Sequence, residues 1–560
     1  MKKKNRLIYL PLGGAGEIGM NAYVYGYGPE GAERLIVVDL GVTFPDMDTS
    51  PGVDLIMPDI GWLEANADRI EAIFITHGHE DHLGALAHYW PRLKAPVHLR
   101  RFTGRLAALK FDEAGLPPEV LTIHLPRPEV VTAGPFAVQF VPVSHSIPES
   151  SALVIDTPAG RIVHTGDFKL DGNPVVGEAF DPVIWHDIAR EGDGVKVLVC
   201  DSTNIFSLHP GRSEATLAVP LSELIAAQTG MVAATTFASN VARLKTLAEA
   251  ATAAGRQVCL LGRAMKRMIS AAVEAGVLTD FPPILPPEEA VKIARNRLML
   301  IVTGSQGERR AASAQLSRGK YLGLELKEGD SFLFSSKTIP GNERGVIRIM
   351  NAFSEMGVEV IDDHGGLYHV SGHANRPDLE AVHDLVAPQI LIPMHGEHRH
   401  LREHAKIGAA KGIVSEVATN GTMLDLTGAL PEVVELIEAG RSYLDGSVLI
   451  GALDGVVRDR LRMAMGGHVL VTVIVDEEDL PLGDAWVELM GLAPQGRSGA
   501  ALDGLIEAEL AEFLERADAR VIASDEKLDE AIRRIVRQVT MEEVGKKPEV
   551  TLVVSRLMAD

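Results

Sequence analysis

Two hydrophobic periodicities alternate along the chain. Through residues 6–170, short runs rich in isoleucine and valine recur: RLIYLPL, RLIVVDLG, AIFITH, FAVQFVPVSH, SALVIDT and RIVHTGDF. They end in Gly, Pro, Asp or His, and such runs read as strands of a sheet covered on both faces. VKVLVCDSTN is a further buried strand and closes this block, while helical patterns fall between some runs, for example after His82. From about residue 211 to about 364 helical and strand patterns alternate in βαβ fashion, with LMLIVTGSQGE and SFLFSSKTIPG as strands leading into polar turns. Short strands return in LYHVSGHA and QILIPMHGEHRH, and residues 446–458 read as a linker. The tail, 459–560, holds the strand runs HVLVTVIV and EVTLVV and two amphipathic helices, GLIEAELAEFLERA and KLDEAIRRIVRQV. The pattern predicts an α/β chain: a first block over 1–210, an inserted α/β unit over 211–364, a return over 365–445, the linker, and a small C-terminal α/β domain over 459–560.

Composition narrows the class. A hydrophobic content of 46% and a charged content of 23% suit a globular protein with real cores. No apolar run approaches the roughly 20 residues of a membrane helix, and the start MKKKNRLIYLPLGGAG is too short in its apolar part for a secretory leader. Cys200 and Cys259 both lie in apolar runs and read as buried thiols of a reducing compartment, so the expected location is the cytoplasm, with no membrane partner. The net charge of −22 by itself argues against nucleic acid. Bound divalent ions or local basic clusters can override that sign. The candidate clusters are Arg100, Arg101, Arg105 and Lys110; Arg263, Lys266 and Arg267; and Arg309 and Arg310. Each taken singly reads as an ordinary solvated face.

One motif misleads. GAGEIG, Gly14 to Gly19, matches the dinucleotide pattern G-x-G-x-x-G after a strand, and Asp39 follows about 20 residues on. That pattern must open a helix so that its amides face a pyrophosphate. Here MNAYVYGYG follows, at strand-like spacing, so the segment reads as a tight turn between two strands.

The chemistry lies in ITHGHEDHLGAL, where His77, His79, Asp81 and His82 fall within six positions directly after an apolar run. His77 and His79 alternate and can point the same way on an extended tip, while Asp81 and His82 come as the chain bends into a helix. Imidazoles with a carboxylate suit zinc or manganese. Four ligands do not close two metal sites, and further ones are expected at strand ends: His145 in VPVSHS, Asp167 in VHTGDF and His395 in LIPMHGE. Asp167 could bridge two cations. Asp39, at the end of LIVVD, reads as a support that holds the ligand loop by hydrogen bonds. His88, His98, His124, His186, His209, His383, His400 and His404 read as surface or satisfied core histidines.

H-x-H-x-D-H, then a strand-end His, a strand-end Asp and a late His resembles the metallo-β-lactamase superfamily. CDSTN with Asp201, SGHA with His373 and PMHGE with His395 resemble the three motifs of its nucleic-acid-processing β-CASP members. With GGAGEIGMN, SHSIPES, TGDFK, TGSQGE, SSKTIPGNE and the tail, the order is similar to the bacterial ribonuclease J family over essentially the whole chain. The resemblance implies an αββα metallo-β-lactamase sandwich with an inserted β-CASP domain. It implies two divalent metal ions, zinc or else manganese: one on His77, His79 and His145, one on Asp81, His82 and His395, with Asp167 between them. It further implies 5′-to-3′ exonuclease and endonuclease action on RNA, in decay and processing, through a metal-activated hydroxide that leaves 5′-phosphate and 3′-hydroxyl ends. His373 would stabilise the phosphate or aid proton transfer, and Asp201 would orient it. Ser371, Gly372, His373 and Ala374, with Ser239 and Ser336 of the inserted unit, would form a pocket for a 5′-monophosphate. A homodimer, with a tetramer as the alternative, and helicase-type partners in RNA degradation belong to the same implication. Two rival readings are a small-molecule hydrolase of thioesterase or lactamase type and a non-catalytic RNA-binding scaffold. The former would lack the insertion and the SGHA and PMHGE pair; the latter would be expected to have lost ligands, and none is missing.

Overall fold

Strand alternation decides how the first block packs. In the computed structural model, which describes residues 4–363 and 365–557, Leu7, Tyr9, Tyr23, Tyr25, Ile36, Val38 and Phe74 share one core with Phe136, Val138, Phe140, Leu153, Ile155, Val197, Val199 and Ile392. The first group belongs to an eight-stranded sheet whose central strands are Asn5–Gly13, Ala22–Pro29, Arg34–Val38 and Ile70–Phe74. The second belongs to a seven-stranded sheet containing Phe136–Pro142, Ser151–Thr157, Gly160–His164, Val195–Asp201 and Ile390–Met394. The two sheets therefore bury facing sides against each other. The intervening residues are buried too. Val141, Val154, Val163, Leu198 and Cys200 pack with Trp185 and Ile188 of the helix Pro182–Arg190 and with Leu379 and Val382 of Arg376–Val386. On the opposite sheet Leu10, Val24, Val37 and Ile73 are fully buried, and the helices Leu86–Leu93 and Arg101–Glu113 carry buried Tyr89, Phe102 and Phe111. This is the expected αββα layering, and it explains the near-continuous apolar runs.

The inserted unit is a separate sheet of six strands in the order Ile284–Leu285, Gln257–Leu261, Leu298–Val302, Val232–Thr235, Ser331–Phe334, Glu359–Ile361. Every pairing in it is parallel, so each crossover needs an intervening segment, and Val241–Ala253, Arg263–Glu274 and Glu343–Glu355 supply helices. By backbone contacts the chain divides into residues 1–43 with 57–441, and residues 44–56 with 442–560. The second unit holds a three-stranded sheet, Trp486–Met490, His468–Val475 and Glu549–Arg556, against the helices Leu502–Arg516 and Asp525–Val544.

Within residues 446–458, the segment expected as a linker, Val448–Gly451 is a strand in register with residues 442–445, and the helix Val456–Gly466 starts there. Two sequence expectations are corrected. LYHVSGHA is not a strand but a run of bends, because its backbone serves side chains of the site. Arg100 is no solvated cation; it is 4% exposed and holds Glu178 with two hydrogen bonds of 2.9 and 3.0 Å. GAGEIG is the turn between two antiparallel strands that its context suggested. Cys200 and Cys259 are buried free thiols. No helix among the described residues is long and apolar enough to cross a membrane.

Candidate metal centre

The strands Gly160–His164, Val195–Asp201 and Ile390–Met394 run parallel, so their C-terminal ends share one edge. Asp167, Asp201 and His395 follow at that edge. Phe136–Pro142 points the same way, two antiparallel pairings along, and brings His145. From the facing sheet, Ile70–Phe74 delivers His77, His79, Asp81 and His82, beside Asp39 from the parallel neighbour Arg34–Val38.

The result is one cluster of nitrogen and oxygen donors. Atoms of His77, His79, His145 and Asp167 lie within 4.8 Å of one another, and so do those of Asp81, His82, Asp167 and His395. Asp167 Oδ2 is 3.2 Å from both His82 Nε2 and His395 Nε2, 3.7 Å from His145 Nε2 and 3.8 Å from His77 Nε2. A third group joins Asp167, Asp201 and His373.

Electrostatics in this cluster calls for a cation. Burial, with neighbouring rings, holds His77 and His145 well below the usual histidine range, so they present neutral lone pairs. Burial also works against charge on His82 and His395, but the carboxylates of Asp167 and Asp81, with Asp39 at His82, outweigh it and raise both rings. Asp167 is likewise held well below the carboxylate range: burial opposes its charge, and His395, His82 and His373 overcome that. A divalent ion can take the place of those protons. Asp167 Oδ1 and His395 Nδ1 are buried without a protein partner, which is rare for such groups and marks an incomplete set of interactions. Imidazole and carboxylate donors at these separations fit zinc or manganese.

The supports are as specific as the donors. Asp39 Oδ2 lies 2.7 Å from His82 Nδ1 and accepts from the Thr76 hydroxyl at 2.8 Å, while Oδ1 accepts from the Thr76 amide at 2.8 Å. Thr76 Oγ1 in turn lies 3.0 Å from His77 Nδ1. Asp39 thus lies between Thr76 and His82, and it adopts φ of +62° there. His395 sits at φ +49°, a second left-handed non-glycine residue at the site, in keeping with strain gathered where geometry is over-determined. Gly41 allows the close approach of the two loops: a Cβ there would lie 1.7 Å from the Asp81 carbonyl oxygen. The misleading glycine turn also has its place here, since Ala15–Gly16 pairs with Gly396–Glu397 directly after His395.

The other expected residues divide. His373 Nδ1 is 2.8 Å from Asp201 Oδ2, and these carboxylates, with Asp167, overcome burial to lift His373 to about 9. The Gly372 carbonyl lies 2.6 Å from His145 Nδ1. The Ala374 amide donates to Phe168 O at 2.6 Å, and the His373 amide to Ser371 Oγ at 3.2 Å, so these two amides are engaged within the protein. Ser239 Oγ contacts His79 Nε2 at 3.1 Å. Ser336 is buried, and among the described residues no hydrogen bond links it to the cluster. Its neighbour Ser335 instead accepts from the Arg243 guanidinium at 2.9 Å. Thr76, Gly41 and Arg243 carry no signal of a role in the sequence. Thr76 lies inside the histidine motif itself, but nothing in a linear pattern separates a supporting threonine from a strand threonine. Among the remaining histidines His98 lies 2.8 Å from His124 and His383 3.0 Å from His404, while His209 is exposed at the surface.

Comparison with known proteins agrees with this geometry. Residues 16–200 match the metallo-beta-lactamase superfamily, 229–353 the ribonuclease J beta-CASP domain, 367–417 the Zn-dependent metallo-hydrolase RNA specificity domain and 455–557 the ribonuclease J C-terminal domain. The chain is 43% identical over 563 residues to ribonuclease J of Sinorhizobium meliloti, covering 100% of this chain and 98% of that protein. It is 36% identical over 546 residues to ribonuclease J of Mycolicibacterium smegmatis, covering 96% and 95%. A crystal structure of a protein of unknown function from Enterococcus faecalis shares the fold at a TM-score of 0.50 and 18% identity, over 75% of this chain and 100% of that one. A donor cluster at shared strand ends, an inserted parallel sheet and full-length similarity converge: the chain belongs to the ribonuclease J family and is a metal-dependent ribonuclease.

Proposed function

We propose that the chain holds two divalent ions, zinc in the first place and manganese as the alternative, and degrades RNA both from the 5′ end and internally. The observation that carries this reading is the shared position of Asp167, whose Oδ2 lies against both donor groups. His77, His79 and His145 would hold one ion and Asp81, His82 and His395 the other, with Asp167 within reach of both groups. Bound divalent ions supply Lewis acidity: activation of water for in-line attack on phosphorus and neutralisation of charge on the phosphoryl oxygens.

The chain's own residues do the rest. Asp201 holds His373 by Nδ1, itself fixed by the Thr203 amide at 2.9 Å and hydroxyl at 2.7 Å. His373 therefore keeps a protonated Nε2 for the scissile phosphate or the departing 3′ oxygen, and the products carry 5′-phosphate and 3′-hydroxyl ends. A net charge of −22 does not preclude an RNA partner, because cations converge locally. Burial first, then Arg243, Lys337, Lys169 and Arg212, push His369 down to about 3, and His369 is four residues before His373. Ser371 and Gly372, with the exposed cations Arg212 and Lys337, receive a terminal monophosphate; a triphosphate brings more charge to desolvate. The functional boundaries we assign are those of the sequence pattern: 1–210 and 365–445 for hydrolysis, 211–364 for the inserted domain and 459–560 for the C-terminal domain. The C-terminal domain supports a homodimer, and the cytoplasm is the compartment.

The test is RNA of one sequence bearing either a 5′-monophosphate or a 5′-triphosphate, incubated with the zinc- or manganese-loaded chain. Mononucleotides should be released much faster from the monophosphate, with internal cuts less sensitive to the end group. Equal rates of release from both would refute the end-recognition reading.

A further inference from the structure

When an imidazole binds a metal through one ring nitrogen, the other carries a proton, and whatever accepts that proton fixes the tautomer and the ring plane. The acceptors can be read off for four of the five histidines proposed as ligands. His82 turns its outer nitrogen to Asp39 and His77 to Thr76, both from the same block as the ligands. His145 turns Nδ1 to the Gly372 carbonyl, in the segment that follows the inserted unit. His79 turns Nε2 to Ser239 Oγ, 3.1 Å away and 160 positions along the chain.

His79 is the odd ring of its group. Its Nδ1 is the inner nitrogen, 3.1 Å from His77 Nε2 and 3.1 Å from His145 Nε2. For Nδ1 to offer a lone pair, Nε2 must bear the proton, and Ser239 is placed to accept it. Ser239 is itself well held. It lies in the loop between Val232–Thr235 and Val241–Ala253, where its carbonyl accepts from the Val241 amide at 2.9 Å. Asn240 caps the following helix by accepting from the Arg243 amide at 2.9 Å. Arg243, fully buried, ties that helix to Glu214 through two bonds and to Ser335.

We propose that Ser239 is a positioning residue of the metal centre: its hydroxyl accepts the Nε2 proton of His79, and the inserted unit thereby becomes part of the His77–His79–His145 site. This rests on the reading of those histidines as ligands. It gives Ser239 a different task from the phosphate contact that the sequence suggested. It also makes the two sites unequal, because the Asp81–His82–His395 group has its support, Asp39, within the first block.

The experiment uses the full chain, its Ser239→Ala and Ser239→Thr variants, and zinc alone as the probe. Zinc affinity is read by competition with a chromophoric chelator, zinc per chain by mass spectrometry, and folding by the melting temperature of the zinc-free protein. In S239A one of two zinc ions should bind about 10-fold more weakly, the usual cost of losing a partner behind a metal ligand. The other ion should be unaffected, and S239T should restore the parent affinity. On RNA, kcat should fall at limiting zinc with KM unchanged, and excess zinc should restore it. If alanine disturbs folding, Ser239→Val against S239T isolates the hydroxyl at equal size. Two zinc ions bound as tightly by S239A as by the parent would overturn the proposal; loss of 5′-monophosphate preference in that same variant would then make Ser239 a phosphate contact. Failure of the parent to bind zinc at all would instead overturn the ligand reading beneath it.

Discussion

His373 Nδ1 and Asp201 Oδ2 lie 2.8 Å apart although 172 positions separate them in the chain. Asp201 ends a strand of the first block and His373 follows the inserted unit, so the pair exists only when the returning segment docks on the sheet edge. Asp201 has its second oxygen occupied by Thr203, which leaves the carboxylate no other orientation. His373 is 21% exposed and lies 3.9 Å from Asp167 Oδ2, and the role proposed for the pair is chemical rather than stabilising.

Replacing His373 by Ala, or Asp201 by Asn, should therefore lower kcat on RNA by roughly 10²-fold or more, the usual scale for a positioned proton donor. Zinc content should stay at the parent value in H373A. Mass spectrometry of bound metal beside single-turnover cleavage checks this, and loss of metal in parallel with activity would instead make His373 a ligand.

His77→Ala or Asp81→Ala should abolish RNA cleavage and leave the far-ultraviolet circular dichroism spectrum unchanged. The ligands stand beyond strand ends, outside the apolar core that holds the sheets together. Full activity in either variant with the same divalent ion would exclude a two-ion centre.

Chelation should inactivate the protein and lower its melting temperature, because binding to the native state alone is linked to folding. Zinc or manganese added back should restore both, whereas magnesium, which prefers oxygen donors, should not. Cleavage assays and differential scanning fluorimetry on the same samples decide it.

The His383–His404 pair sets a pH response of stability. Their rings stack with an interplanar angle of 12° and nitrogens 3.0 Å apart. Burial, then the Lys411 charge, lowers His383 to about 4 against a weaker pull from Asp384, and burial, then His383, takes His404 well below the usual range. Between pH 6.5 and about 4 the unfolded chain binds protons that the folded pair refuses. Stability is thus fully present above pH 6.5 and falls with pH in that window, at about 1.4 kcal/mol per pH unit for each proton. His383→Leu should flatten the urea midpoint between pH 7 and 5 relative to the parent; identical slopes would remove the pair as the cause. The metal's own pH response cancels in the difference.

Removal of residues 455 onward, the segment matching the family's C-terminal domain, should turn a dimer into a monomer with metal content unchanged. Trp486 and Met490 stand about half exposed on one strand of that unit, apolar surface of the kind that marks an interface. Light scattering that shows the same mass before and after truncation would rule out this role.

The donor types were legible in the sequence because each metal-type residue follows an apolar run. A covered strand that runs straight into imidazoles and carboxylates delivers them to a sheet edge, and His77, His79, Asp81, His82, His145, Asp167 and His395 all obey that pattern. The layered fold was legible for the same reason: both faces of most strands are covered, so the runs stay apolar. What surrounds the donors was not legible. Ser239 and Gly372 were singled out only for a phosphate pocket and Thr76 not at all, because a hydroxyl or carbonyl oxygen carries no periodicity; only the approach of distant strands gives it a histidine partner. Ser336 against Ser335 shows the limit, since adjacent serines differ only in which way the backbone turns them. Gly41 against Gly14 shows it again: one glycine admits a neighbouring backbone and the other a left-handed turn, and the letter is the same. Local pattern decides what a segment can form, while the contacts that orient a ligand depend on atoms 160 and 227 positions away, and those distances close only in the folded chain.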